Sequence, residues 1–331
     1  MNLHFPPLVY IYFLVSGTII SISSSSIFGI WLGLEINLMS FIPMIINLDH
    51  NKKSSEAAIK YFLIQAIASA IVLYSSLMFI LFSGNMITLI PSFIITMALG
   101  MKLGMAPFHF WFPETMEGLS WINSVILLTW QKISPLIILS LLYSPPILMF
   151  LALTSALTGA ISGLNQTSLR KILSYSSISH LGWIGSVMHV NNKMWLIYFL
   201  IYSIMSVILC LSFFTLSLNY FSQLIYMNNP KKKIMIFINL LSMGGMPPLL
   251  GFLPKWTSIL ILSKNSPILM ILIMSSLITL YFYTRLCFSA FTLHTPEMSW
   301  NFKEMNKKIT VLSILTLVSM LSLGPMLYLL L

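Results

Sequence analysis

MALGMKLGMAPFHFW, residues 97–111, decides how the chain is read. An apolar run heading through a membrane carries Lys102 in its middle. Five residues later comes Pro107, which lacks a backbone donor and bends or ends a helix. His109 follows closely. A charge at membrane depth costs about 2.5–3.5 kcal/mol on insertion scales. A helix break inside lipid is tolerated only where protein or a water-filled cavity covers the freed backbone groups. Lys102 and Pro107 therefore point to a hydrated, functional interior.

The composition agrees. Of 331 residues, 58% are hydrophobic and 7% charged, with mean hydropathy +0.93. Soluble domains carry about 25% charged residues. The fold class is an all-α polytopic membrane protein. With about 20 apolar residues per spanning helix, about eleven transmembrane helices are expected, near 8–23, 27–48, 57–83, 86–106, 121–143, 146–163, 170–190, 193–218, 234–263, 266–293 and 308–331. No hydrophilic stretch is long enough for a soluble domain, so residues 1–331 read as one transmembrane domain. SISSSS (21–26) is a tight connection, and DHNKKSSE (49–56) and NNPKKK (228–233) are polar loops.

Loop charges test this count. With eleven spans, the N-terminus shares one side with the loops that hold Lys52, Lys53, Arg170, Lys171, Lys231, Lys232, Lys233, Lys303, Lys307 and Lys308, while the other side has only Lys193 and Lys264. Such an excess marks the cytoplasmic or matrix face, and one span more or fewer would scramble it. The formal charge of +10 is thus a topology signal and not a nucleic-acid one. Lys60 and Arg285 lie near span ends, where long side chains reach an interface. Lys102, Lys132 and Lys255 lie deeper.

Two spans carry strong breakers: the fourth has GMAPFHF (104–110) and the ninth GGMPPLLGFLPKW (244–256). Paired interruptions in two halves of a chain point to a transporter built from inverted repeats. Glu35 is one of seven acidic residues and the one well inside a span, in IFGIWLGLEINLMSF. Lys102, opposite in charge, is its candidate partner. Lys132 sits in LTWQKISPLI, beside Gln131 and ahead of Pro135, and Lys255 in GFLPKW. Burial brings a lysine towards neutrality, whereas an arginine stays charged, so three deep lysines favour proton handling over fixed counter-ions. His109 and His180 are candidate relays, since histidine titrates near neutral pH. Tyr175, Ser176, Ser177 and Ser179 give the seventh span a polar stripe suited to a water chain or to helix packing. Cys210 and Cys287 are isolated in apolar runs. No phosphate loop, dinucleotide fingerprint or metal-ligand spacing occurs, so no cofactor or metal is expected in this chain. MNLHFPPLVYIYF has neither a basic n-region nor an Arg-rich amphipathic pattern, which predicts membrane entry without a cleaved leader. Twenty-three methionines fit a biased coding system such as an organelle genome.

Five blocks carry a family resemblance. SMGGMPPLLGFLPKW (242–256), ALGMKLGMAPFHFWFPE (98–114), LTWQKISPL (128–136), LNQTSLRKILSYSSISHLGW (164–183) and WLGLEINLMSFIPM (31–44) resemble, in order and over essentially the whole chain, the antiporter-like subunits of respiratory complex I, the NADH–ubiquinone oxidoreductase. PPLLGFLPKW with LTWQK favours the chain 2 family, of the animal mitochondrially encoded, arthropod kind. The resemblance implies inverted repeats with spans 4 and 9 as the two broken helices. It places the family's proton-handling residues at Glu35, Lys102, Lys132 and Lys255, with no departure at those four positions; the histidines map less securely. It also implies a multi-pass protein of the mitochondrial inner membrane, with the N-terminus on the matrix side. Other complex I subunits are the implied partners, neighbouring membrane-arm subunits especially, together with bilayer lipid such as cardiolipin. NADH, FMN, iron–sulfur clusters and ubiquinone would be handled by other subunits. Two readings stay open beside a proton-moving subunit: a stand-alone cation/proton antiporter, and a structural membrane scaffold.

Overall fold

The computed structural model describes residues 7–47, 52–81, 89–191, 193–225, 227, 230–263 and 266–292. They are almost entirely helical; the β structure among them is one isolated antiparallel bridge between Ser168 and Tyr220. Contacts divide the chain into two units, 1–155 and 156–331.

The first unit holds α1 (Pro7–Ser23), α2 (Ile27–Asn47), α3 (Lys52–Leu81), α4 (Leu89–Leu103), α5 (Trp111–Gly118), α6 (Trp121–Leu128), α7 (Trp130–Leu142) and the first part of α8 (Pro145–Gly163). Small residues let α1 lie directly on α2: a Cβ added to Gly33 would sit 2.5 Å from the Ser21 nitrogen and 2.7 Å from the Gly17 oxygen. Aromatic rings continue the core from α2 to α5, with Phe41 5.2 Å from Tyr61, Tyr61 5.9 Å from Trp111 and Trp111 5.4 Å from Phe112. Asn123 Nδ2 ties α6 to α2 by donating to the Met44 carbonyl at 2.9 Å.

The second unit holds the rest of α8, then α9 (Leu169–Val190), α10 (Met194–Thr215), α11 (Phe221–Ile225), α12 (Pro230–Gly244), α13 (Phe252–Leu262) and α14 (Ser266–Thr292). Of the polar stripe of α9, Ser176, Ser177 and Ser179 are buried and Tyr175 is half-buried; the neighbouring Ser174 and His180 are buried as well.

Among the described residues six helical stretches are long and apolar enough to cross a membrane, covering 27–46, 52–79, 121–142, 145–163, 194–215 and 266–288, and shorter apolar helices cover 8–23, 90–103 and 252–262. The stripe of α9 keeps that helix, though 22 residues long, out of the six. The expected span at 308–331 lies outside the described residues.

One expectation needs correction. Pro230 to Lys233 are not a loop but the first turn of α12. Proline suits the first helical position because the amide it lacks has no partner there, and Lys233 donates to the Ile225 carbonyl at the end of α11, at 3.0 Å. The span expected near 121–143 is present as one membrane-length stretch, 121–142, with a one-residue lapse in its helical pattern. The lapse falls at Thr129, whose amide still donates to the Val125 carbonyl at 3.0 Å, as does its hydroxyl at 2.7 Å. Lys60 does more than reach an interface: its ammonium lies 2.7 Å from both Glu56 and Glu114, linking α3 to α5. These groups are exposed, and such pairs contribute little. Lys60→Ala should therefore leave the level of folded protein unchanged, as judged by the amount extracted intact from membranes.

Candidate functional site

The helix carrying Lys102 ends in a defined way. Gly104 has φ +74°, a conformation glycine adopts without a Cβ penalty. Its amide donates to the Met101 carbonyl at 3.1 Å and that of Met105 to Gly100 at 2.9 Å, which is a Schellman end. Side chains cover two of the last carbonyls. Trp111 Nε1 donates to Met101 at 3.2 Å, and Gln65 Nε2 donates from α3 to Lys102 at 3.2 Å. The Lys102 ammonium takes no part in closing its own helix.

Lys102, 7% exposed, and Lys132, 2% exposed, line the same cavity of about 20 Å³. Asn37, Gln65, Gln131 and Ser134 supply the rest of its polar wall, and Tyr61, Trp111 and Phe112 part of the apolar one. α7 begins after the lapse at Thr129, so that Lys132 lies in its first turn. The Lys132 ammonium sits 5.0 Å from the centre of the Phe112 ring, within cation–π range. Gln131 Nε2 donates to Asn37 Oδ1 at 3.0 Å, tying α7 to α2 across the cavity wall. A cavity of this size holds one water, which needs two to four polar partners. The Ser134 hydroxyl, 1% exposed and with no partner among the described residues, offers one of them.

Glu35 is half-buried on α2, next to the wall residue Leu34. Lys102 is the partner the sequence suggests for it. Among the described residues no ion pair joins the two, and Glu35 Oε2 is buried without a hydrogen-bond partner. His109 is buried in the connection between α4 and α5, its ring 4.4 Å from that of Phe110, and is not part of the cavity wall.

In the second unit α12 ends as α4 does. Gly245 has φ +83°, its amide donates to Ser242 at 3.0 Å, and that of Met246 donates to Leu241 at 3.2 Å. Here the lysine is the cap: Lys255, in the first turn of α13, donates to the Gly244 carbonyl at 2.8 Å. A cation at this carbonyl end is favoured by the helix dipole. His180 Nδ1 lies 2.9 Å from the Tyr198 hydroxyl, with the Tyr202 ring 5.1 Å away.

Residues 24–280 match the family described as NADH:quinone oxidoreductase/Mrp antiporter, transmembrane. NADH-ubiquinone oxidoreductase chain 2 of Anopheles gambiae is 46% identical over 93% of this chain and 92% of its own length. That of Bos taurus is 40% identical over 97% of this chain and 98% of its own. The chain belongs to the NADH-ubiquinone oxidoreductase chain 2 family. Solved structures share the fold of this chain 2 family member. A chain of respiratory complex I from Thermus thermophilus matches with TM-score 0.82 at 20% identity, over 95% of this chain and 77% of that one. A chain of the Mrp complex from Dietzia matches with TM-score 0.75 at 15% identity, over 84% and 59%.

For this chain 2 family member, the candidate site residues fall into two groups. Lys102 and Lys132 share a cavity, with Glu35 beside its wall; Lys255 and His180 belong to the second unit. Sequence reasoning missed Gln65, Asn37 and Ser134, and treated Gln131 only as a flank of Lys132. The available signal was a polar side chain at Gln65 in an otherwise apolar stretch of α3 and at Asn37 in α2. Gln131→Leu removes a donor from the buried Asn37 Oδ1. A lost buried partner costs about 1–3 kcal/mol, so this variant should dissociate at a lower temperature in a thermal scan of the assembled complex. An unchanged midpoint would show that the bond carries no weight.

Proposed function

We propose that this chain moves protons in the membrane arm of respiratory complex I. The complex is a proton-translocating NADH:ubiquinone reductase, and the chain works among its other subunits. NADH, FMN, iron–sulfur clusters and ubiquinone are handled by those partners, and energy reaches this chain as a change of field or conformation. It sits in the mitochondrial inner membrane, with its N-terminus on the matrix side.

What carries the proposal is the cavity bordered by both Lys102 and Lys132. Two ammonium-bearing side chains around one water-sized space give a proton somewhere to go, and a buried lysine can release and rebind one as nearby charge changes. Glu35 and Lys102 act as the switchable pair. Strengthening or weakening their interaction alters the field on Lys132, which loads or unloads its proton through the cavity water. Onward transfer to Lys255 rests on the family resemblance, with His109 and His180 as relays, and the two helix breaks serve as the discontinuous spans of the inverted repeats.

Purification and reconstitution test this. The chain should purify only with NADH-oxidising activity. Vesicles containing that complex should acidify on addition of NADH and ubiquinone, with no requirement for sodium. A chain that exchanges sodium for protons with no NADH-oxidising complex around it would overturn the proposal in favour of a stand-alone antiporter.

A further inference from the structure

The helices α4 and α12 both stop on a glycine of positive φ, yet the two glycines face different neighbours. A Cβ added to Gly104 would meet the Cβ of Phe112 at 3.1 Å. A Cβ added to Gly245 would meet Lys255: Cδ at 2.9 Å, Nζ at 3.1 Å and Cε at 3.3 Å. The space a side chain would fill at 245 is the space in which the end of Lys255 lies while it donates to the Gly244 carbonyl at 2.8 Å.

We infer that Gly245 is a positioning residue for Lys255, its missing side chain allowing the ammonium to rest on the carbonyl end of α12. This rests on the reading of Lys255 as a proton-bearing group. The turn conformation alone does not require the arrangement, because Gly104 has the same conformation without a lysine against it. An alanine at 245 meets the flexible end of a side chain, and the lysine gives way. Once displaced, its ammonium no longer reaches Gly244 as it does now, and proton transfer depends steeply on the position of the group that carries it.

The test is a double-mutant cycle in the assembled complex with Gly245→Ala, Lys255→Met and the pair, reading both complex level and protons pumped per NADH oxidised. Gly104→Ala serves as a control for the turn. A general structural defect lowers oxidation and pumping together and leaves their ratio alone. Gly245→Ala should accumulate and lower coupled pumping by roughly threefold or more, and should have no further effect once Lys255 is methionine, because residues that act through one another are non-additive. If Gly245→Ala does not accumulate, the pair should restore the complex, since removing the ammonium frees the space; absence of both would overturn the inference. So would equal, multiplying losses in the two backgrounds, or an unaltered proton ratio in Gly245→Ala beside an impaired Lys255→Met. Normal pumping by Lys255→Met alone would overturn the proton role of Lys255 and this inference with it.

Discussion

Lys132→Met should leave the complex assembled and stop it from pumping well. Lys132 is 2% exposed, and its ammonium lies against the Phe112 ring. Methionine has similar length, packs on aromatic rings and carries no charge. Keeping an ammonium buried costs free energy that an apolar side chain of similar volume does not incur, so assembly should survive. Proton transfer should not: loss of a positioned acid–base group costs about 10²–10⁴ in rate. Coupled NADH:ubiquinone turnover and vesicle acidification should fall by at least about tenfold, while NADH oxidation by an artificial acceptor persists. Lys132→Arg sharpens the test, because arginine keeps the charge and cannot give up its proton. If the lysine only pins helices together, arginine should preserve function and methionine should harm assembly. If it carries a proton, both variants should assemble and neither should pump normally. A fully pumping Lys132→Met complex would remove this residue from the mechanism.

The largest structural effect should come from Gly251→Ala. Gly251 has φ −69°, which any residue adopts, so its role is one of space. A Cβ there would overlap the backbone carbonyl oxygen of Ser242 and press on the Met205 sulfur at 3.2 Å. Ser242 is in the last turn of α12, where its carbonyl already accepts the Gly245 amide. Backbone cannot yield as a side chain does. The connection from α12 to α13 would have to open, separating Lys255 from Gly244. Overlaps of this kind belong with the rare substitutions that cost more than about 4 kcal/mol. Native gels should show little assembled complex for Gly251→Ala. Gly163→Ala, whose Cβ would meet only the Phe282 ring edge at 3.3 Å, should assemble far better. Equal levels for the two would mean that the close approach at 251 is not a constraint.

These features were unequally legible before the structure. Both interruptions could be read because glycine and proline act locally: GMAP at 104–107 and GMPP at 245–248 stop a helix by their own backbone chemistry. The deep lysines could be read because charge within an apolar run is costly anywhere along it. The lapse at Thr129 was hidden because no glycine or proline stands at that position to mark it. NNPKKK read as a loop because charge outweighed the proline that opens α12. The cavity itself was invisible. It is made by residues 37, 65, 102, 131 and 132 meeting across four helices, and the amide bonds that brace it join positions 37 and 94 residues apart. The Lys255 bond to Gly244 spans 11 residues, but it depends on how the chain folds back between them. No local pattern encodes that.

The contact between Gly17 and Gly33 has a mechanical consequence for Glu35. The two helices touch backbone to backbone there, and a Cβ at Gly17 would lie 2.9 Å from the amide nitrogen of Asn37, so the clamp brackets Glu35 on both sides. With backbone this close to backbone at both glycines, α2 cannot slide or roll on α1 by a fraction of a turn without collision. If the Glu35 carboxylate travels during turnover, it does so by swinging about its own side-chain bonds, or as cargo on α1 and α2 moving as one rigid lever. Stapling the pair covalently, by a cross-link at the outer ends of the two helices, would leave the first kind of movement intact and arrest the second.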